Sequence, residues 1–106
     1  MFQMISMWRL ELYLDQKRNQ ELEFTLLDVR SPEEFLEGHL DGAIHIPLEE
    51  LEEQMWRLNR DHPIIVYCGH GSKSLIAARM LDRMGFLVMA AAGGLASYRG
   101  KYYKSI

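Results

Sequence analysis

The sequence holds one cysteine, Cys68, so an intrachain disulfide is impossible and no oxidising compartment is called for. Three prolines are spread singly along it, and no Pro/Gly/Ser linker, internal repeat or low-complexity stretch marks a boundary, so residues 1–106 read as a single domain. Long apolar runs are missing as well. The opening MFQMISMWRLELYLDQKR has no basic segment leading into an apolar one and is interrupted by Glu11 and Asp15. It is a poor signal peptide and too short in apolar length to span a bilayer. These absences predict a soluble, cytoplasmic protein with no membrane partner. Nowhere do Lys and Arg gather with interleaved aromatics, so no nucleic-acid partner is expected. Four histidines, His39, His45, His62 and His70, are scattered without metal-ligand spacing, and neither a metal nor a cofactor is predicted. No feature sets an oligomeric state.

What the chain does contain is ordinary globular material, with 48% hydrophobic and 25% charged residues and a net charge of −3. The charge is uneven. Between Ser31 and Trp56 stand Glu33, Glu34, Glu37, Asp41, Glu49, Glu50, Glu52 and Glu53 without a single Lys or Arg. Farther on come Arg57, Arg60, Lys73, Arg79, Arg83, Arg99, Lys101 and Lys104 against only Asp61 and Asp82. A basic second half around the cysteine favours small anions, although solvated helix faces account for most of these residues.

Periodicity predicts alternating short strands and helices. Met4-Ile5 leads to Ser6, an N-cap for a helix through about Lys17 with Met7, Leu10, Tyr13 and Leu14 on one face. Phe24 to Val29 is a continuous apolar run, as in a strand covered on both sides. Ser31-Pro32-Glu33-Glu34 announces a helix by its cap, its first-turn proline and its capping box, and Gly38 stops it. Ala43 to Ile46 predicts a strand closed by Pro47, and Leu48, Leu51, Met55 and Leu58 line a helix. Pro63 to Tyr67 is the clearest strand. Ser72 or Ser74 opens a helix with Leu75, Ala78, Leu81 and Met84 inward, Gly85 stops it, and Phe86 to Met89 forms a further strand. Gly93-Gly94 then turns the chain into a last short helix through Tyr98. The seven methionines fall mainly at positions assigned to the core. This alternation implies an α/β fold with a short, mostly parallel sheet and helices on both faces. Ligands bind at the carboxyl ends of such strands, where both Cys68 and Asp28 are placed.

The stretch IIVYCGHGSKS, Ile64 to Ser74, runs a buried strand straight into the thiol and then into small polar residues. A cysteine used for packing belongs inside a strand, whereas this one stands at the exit. Gly69 and Gly71 permit positive φ and close approach. An arc turning into a helix directs successive N–H groups inward as an anion nest, and the helix start adds roughly half a positive unit. Lys73 adds a full charge if it folds back over the loop. A thiolate placed there is stabilised without a histidine base.

Read together with two other stretches, this loop resembles the single-domain rhodanese-like (thiosulfate sulfurtransferase-like) family. DVRSPEEFLEGHLDGAIHIP, Asp28 to Pro47, is similar to the family's D-V-R-x-x-x-E-F/Y-x-x-G-H-I-x-G-A-x-x-I-P, with Leu40 in place of Ile. YCGHGSKS matches a loop C-x-x-G-x-R followed by Ser. GFLVMAAAGGLASYRG, Gly85 to Gly100, resembles G-F-x-V-x-x-L-x-G-G-x-x-A-W. The resemblance implies sulfur transfer. Cys68 is then the catalytic nucleophile, attacking the outer sulfur of thiosulfate or a similar sulfane donor to form a persulfide. An external thiol, a protein acceptor or cyanide takes that sulfur. The amides of Gly69, His70, Gly71, Ser72, Lys73 and Ser74 are the implied substrate-binding cradle. Three departures stand out. Lys73 replaces arginine and lacks its bidentate fork, Ala91 replaces a large apolar residue, and Tyr98 replaces Trp.

Other residues are assigned lesser roles. His39 is expected to hold a loop, His45 and His62 to be structural or solvated, and His70 to present either its imidazole or only its backbone. Arg30 and Glu34 are expected to pair or cap, and Asp28 to fix backbone. Two rival functions are a non-enzymatic binding module and an oxyanion phosphatase or arsenate reductase. Related phosphatases carry one more loop residue and an arginine.

Overall fold

The computed structural model describes residues 1–105. Strand β1 (Gln3–Ile5) leads through Ser6, whose side chain accepts the Arg9 N–H, into helix α1 (Met7–Arg18). Next come β2 (Thr25–Asp28), α2 (Pro32–Glu37), β3 (Gly38–Leu40) and β4 (Ile44–His45). A segment containing α3 (Leu51–Gln54) precedes β5 (Ile64–Tyr67) and the long α4 (Ser72–Arg83). Strand β6 (Val88–Ala91), a 3-10 turn at Leu95–Ser97 and β7 (Tyr103–Ser105) complete the chain.

Five strands pair in the order β1-β6-β5-β2-β4, every pair parallel. Residues of β2 and β5 are buried at every position, which is why both read as unbroken apolar runs rather than alternating ones. Alternate side chains divide between two cores. Leu27, Ile64, Val66, Val88 and Ala90 join Leu51 of α3, Met55 just beyond it, and Ala77, Ala78 and Leu81 of α4. Leu26, Ile65 and Tyr67 join Met7, Leu10 and Leu14 of α1 together with Tyr98 and Tyr102. Helices therefore cover both faces. Because Asp28 and Tyr67 are paired across β2 and β5, the chain leaves both central strands on one edge, and Cys68 lies there. No helix among the described residues is long and apolar enough to cross a membrane.

Several expectations are corrected. The helix read from Leu48 to Leu58 is broken into a 3-10 turn (Leu48–Glu50), α3 and a second 3-10 turn (Met55–Arg57). Glu49, Glu50, Glu52 and Glu53 repel one another at helical spacings, while Leu51, Met55 and Leu58 still anchor the segment in the core. Met84 is 53% exposed because α4 ends before it, at a turn where Gly85 takes φ +89°. Ala77 takes an inward place instead. The last parallel strand begins at Val88 rather than Phe86, since the Phe86 N–H still closes α4 by bonding the Leu81 carbonyl at 3.1 Å. Of the methionines, Met7 and Met55 are buried, but Met1, Met4 and Met84 are exposed. The antiparallel pairing of β3 with β7 was not foreseen.

Candidate active site

Cys68 is the first residue beyond β5 and is 1% exposed. Its sulfur faces amides. The Gly71 N–H reaches Sγ at 2.9 Å and the Ser74 N–H at 3.3 Å. Gly71 is the N-cap of α4, takes φ +105° and supplies no capping side chain. Ser74 is the third residue of that helix, so the cysteine sulfur occupies the place a capping oxygen normally fills. The amides of Gly69, His70, Ser72 and Lys73 have no acceptor among the described residues.

The shape of this loop has a cause elsewhere in the chain. The Cys68 carbonyl accepts the Leu95 N–H at 2.8 Å, and the Gly69 carbonyl accepts the Ala96 N–H at 2.9 Å. The Ser74 hydroxyl holds a third carbonyl, that of Gly71, at 2.9 Å. With three carbonyls committed, the N–H groups between them are left for the sulfur and for whatever lies beside it. The double glycine makes this possible. A β-carbon on Gly94, at φ +62°, would stand 2.4 Å from the Gly69 carbonyl, and one on Gly71 would stand 3.0 Å from the Gly93 nitrogen.

Over the sulfur lies a hollow of about 100 Å³ bordered by Arg30, Glu34, His70, Ser72 and Lys73. It shares Arg30, Glu34, Gly69 and His70 with a larger cleft of about 450 Å³, whose far wall is Leu95, Ala96, Tyr98, Gly100 and Tyr103. Lys73 does not fold over the loop. Its ammonium is 3.9 Å from a Glu49 carboxylate oxygen, and both side chains are largely in solvent. Arg30 is the cation the sequence reading did not foresee here. It is buried, and its guanidinium binds the Asp28 carboxylate through Nε (3.1 Å to each oxygen) and Nη2 (2.8 Å). Nη2 also donates to the Gly38 carbonyl at 2.6 Å. Burial works against its charge, but the hydrogen bonds and charge of Asp28 outweigh this, so the guanidinium is held protonated more firmly than usual.

Asp28 does fix backbone, accepting the Arg30 N–H at 2.9 Å. Arg30 and Glu34 are not partners of each other. Glu34 closes the predicted capping box with Ser31. His39 holds its loop through the Phe35 carbonyl at 3.0 Å, and His45 reaches the Arg30 carbonyl at 2.8 Å. Both imidazoles stack on Phe35, at 3.8 and 4.3 Å between ring centres. His70 is exposed at the mouth of the hollow. Ala91 is fully buried on the α1 side of the sheet. Tyr98 forms cleft wall while its hydroxyl donates to Glu11 and accepts the Tyr102 N–H. Burial, and then the hydrogen bond to Glu11, push its hydroxyl well above the ordinary tyrosine value.

The rhodanese-like domain signature matches residues 10–101. The Bacillus subtilis protein named "Putative sulfurtransferase YtwF" is 32% identical over 88 residues, which are 83% of this chain and 85% of that protein. "Putative sulfur carrier protein YrkF" of the same organism is 36% identical over 87 residues, 81% of this chain and 47% of the relative, so the chain spans about half that relative's length. Among solved structures, the rhodanese-like domain of an Anabaena protein superposes with a TM-score of 0.83 at 28% identity, over 100% of this chain and 81% of that one.

Proposed function

The chain belongs to the rhodanese-like family, and from that membership we propose that it is a sulfurtransferase that carries sulfane sulfur as a persulfide on Cys68. The observation that carries this reading is the pair of amides, from Gly71 and Ser74, directed at the cysteine sulfur. Each hydrogen bond to an ionised acceptor contributes about 1.5–3 kcal/mol, and the start of α4 adds partial positive charge to the same point. The attacking thiolate and the loaded persulfide are both anions, so one nest serves both.

In the first half-reaction Cys68 Sγ attacks the outer sulfur of a donor such as thiosulfate. An S–S bond forms to Cys68, the donor's S–S bond breaks, and sulfite leaves with the electron pair. In this reading the amides of Gly69, His70, Ser72 and Lys73, which have no acceptor among the described residues, are available to the donor and then to the second sulfur. In the second half-reaction an acceptor thiolate, or cyanide, attacks the outer sulfur and Cys68 leaves as thiolate. With no second cysteine in the sequence, the persulfide is discharged to another molecule. A small-molecule thiol or a protein acceptor fits that need, and so does a reducing, cytoplasmic setting.

Intact-mass measurement after incubation with sulfane donors tests the reading. The wild type gains one sulfur atom, added cyanide or thiol removes it, and Cys68→Ser gains none. A wild-type mass unchanged by thiosulfate and by thiosulfonates alike would discard the proposal.

A further inference from the structure

Three of the four imidazoles have places in the fold away from the sulfur. His39 and His45 hold the Phe35 and Arg30 carbonyls and stack on Phe35. His62 precedes β5, at the end of the strand opposite Cys68. His70 is the exception. It is the second residue after the nucleophile, is exposed to solvent, and its ring has no hydrogen-bond partner among the described residues. It also stands where two cavities meet. Arg30, Glu34, Gly69 and His70 are common to the hollow of about 100 Å³ over Cys68 and the cleft of about 450 Å³ beside it. The smaller volume leaves little room beyond the loaded sulfur, so a thiol acceptor approaches from the cleft and passes these four residues.

Resting on the sulfur-carrier reading, we infer that the His70 imidazole is the general base of the discharge half-reaction, taking the proton of a thiol acceptor as it reaches the loaded sulfur. The thiol's S–H bond breaks, and the proton goes to a ring nitrogen of His70. The thiolate forms an S–S bond to the outer sulfur. The bond to Cys68 breaks with its electron pair left on Sγ, where the Gly71 and Ser74 amides receive it. The acceptor departs as a persulfide, and the imidazolium gives its proton to water. Among the other junction residues, Gly69 offers no side chain and Arg30 is a protonated guanidinium bound to Asp28. Glu34 spends Oε1 on the Ser31 N–H and hydroxyl and turns Oε2 toward the loop, where a β-carbon on Gly69 would stand 3.5 Å away. A carboxylate is too weak a base for an alkyl thiol, whereas imidazole exchanges protons near neutral pH. The carboxylate instead favours the imidazolium that forms on the same rim. Lys73, Tyr98 and Tyr103 complete the titratable lining of the two cavities, and ammonium and phenol groups already carry their protons near neutral pH.

The test preloads Cys68 with sulfur and follows single-turnover discharge by two thiols. One is 2-mercaptoethanol, which is protonated near neutral pH, and the other is 4-nitrothiophenol, an acidic thiol already present as thiolate. Wild type is compared with His70→Gln, which keeps the backbone amide of the loop, and circular dichroism checks the fold. In His70→Gln the rate ratio of mercaptoethanol to nitrothiophenolate falls at least about tenfold at about pH 7. The deficit closes as pH rises above about 9, where mercaptoethanol ionises without help. Changes in the nest or in persulfide reactivity act on both thiols and cancel in the ratio. A ratio that His70→Gln leaves unchanged, whether both rates hold or both fall, overturns the assignment and leaves the sulfur-carrier reading standing. So does a lowered ratio that persists undiminished at high pH, which marks a steric role. Failure of wild type to take up sulfur from any donor overturns the carrier reading itself.

Discussion

Asp28 ends β2 with no exposure to solvent, and its two oxygens are committed to Arg30. Arg30 in turn reaches the Gly38 carbonyl and lines the hollow above Cys68. One side chain thus ties the edge of the sheet that carries Cys68 to β3. Because both partners are buried, removing one leaves the other charged and uncompensated rather than merely unpaired. Asp28→Asn keeps the shape and loses the charge, and the expected cost is about 3–5 kcal/mol, read from urea unfolding. The double variant Asp28→Asn, Arg30→Met recovers a large part of that loss, since the stranded guanidinium is gone. A single-variant loss below about 1 kcal/mol would mean that the pair behaves as an exposed one.

At the scale of elements, the loop of Cys68 is shaped by a turn more than twenty residues away in sequence. Leu95 and Ala96 take its carbonyls, and only a glycine at position 94 lets the two segments come so close. Gly94→Ala adds a β-carbon where the Gly69 carbonyl already lies, at a φ that costs a non-glycine residue about 1–3 kcal/mol. The sheet and α4 do not depend on that contact. The expected outcome is a folded protein with a lower Tm whose Cys68 loads sulfur at least about tenfold more slowly. Unaltered loading would separate the nest from the turn. The same elements show what was legible in the sequence. Burial on both faces leaves a continuous apolar run, so β2 and β5 are plain in the sequence, and the Ser31 capping box marks α2 there as well. The exit of Cys68 from a strand into glycines was equally visible. The β3–β7 pairing was not, because Tyr103, Lys104 and Ser105 are all exposed and carry no period-2 alternation. The Arg30–Asp28 pair and the turn of Glu34 toward Gly69 were hidden for another reason. Spacing along a helix start indicates that Arg30 and Glu34 pair or cap; Glu34 does cap with Ser31, whereas tertiary burial gives Arg30 to Asp28.

Over the whole molecule, tyrosine hydroxyls join the sheet to the chain that wraps it, and this sets how stability varies with pH. Tyr67 is fully buried at the end of β5, and its hydroxyl accepts the Leu40 N–H at 3.0 Å. Burial first, and the charge of Asp28 second, push that hydroxyl far above its usual value of 10.0. Tyr98, tied to Glu11, is raised in the same sense. A raised value means that the folded protein keeps protons that the unfolded chain gives up. The stabilisation is complete below about pH 10 and is lost as pH climbs above it, for Tyr67 at about 1.4 kcal/mol per pH unit. The acid side works the opposite way. Asp15 accepts the Tyr102 hydroxyl and meets the Lys101 ammonium, and these hold its carboxyl below its ordinary 3.8. Its contribution is present above that value and disappears as pH falls through the lowered one. Unfolding free energy from urea titrations should therefore decline on both sides of a broad plateau. Tyr67→Phe should make the alkaline decline shallower, leaving the part due to Tyr98 and Tyr102, and leave the acid side as it was. An alkaline decline equally steep in Tyr67→Phe would show that the buried hydroxyl does not control it.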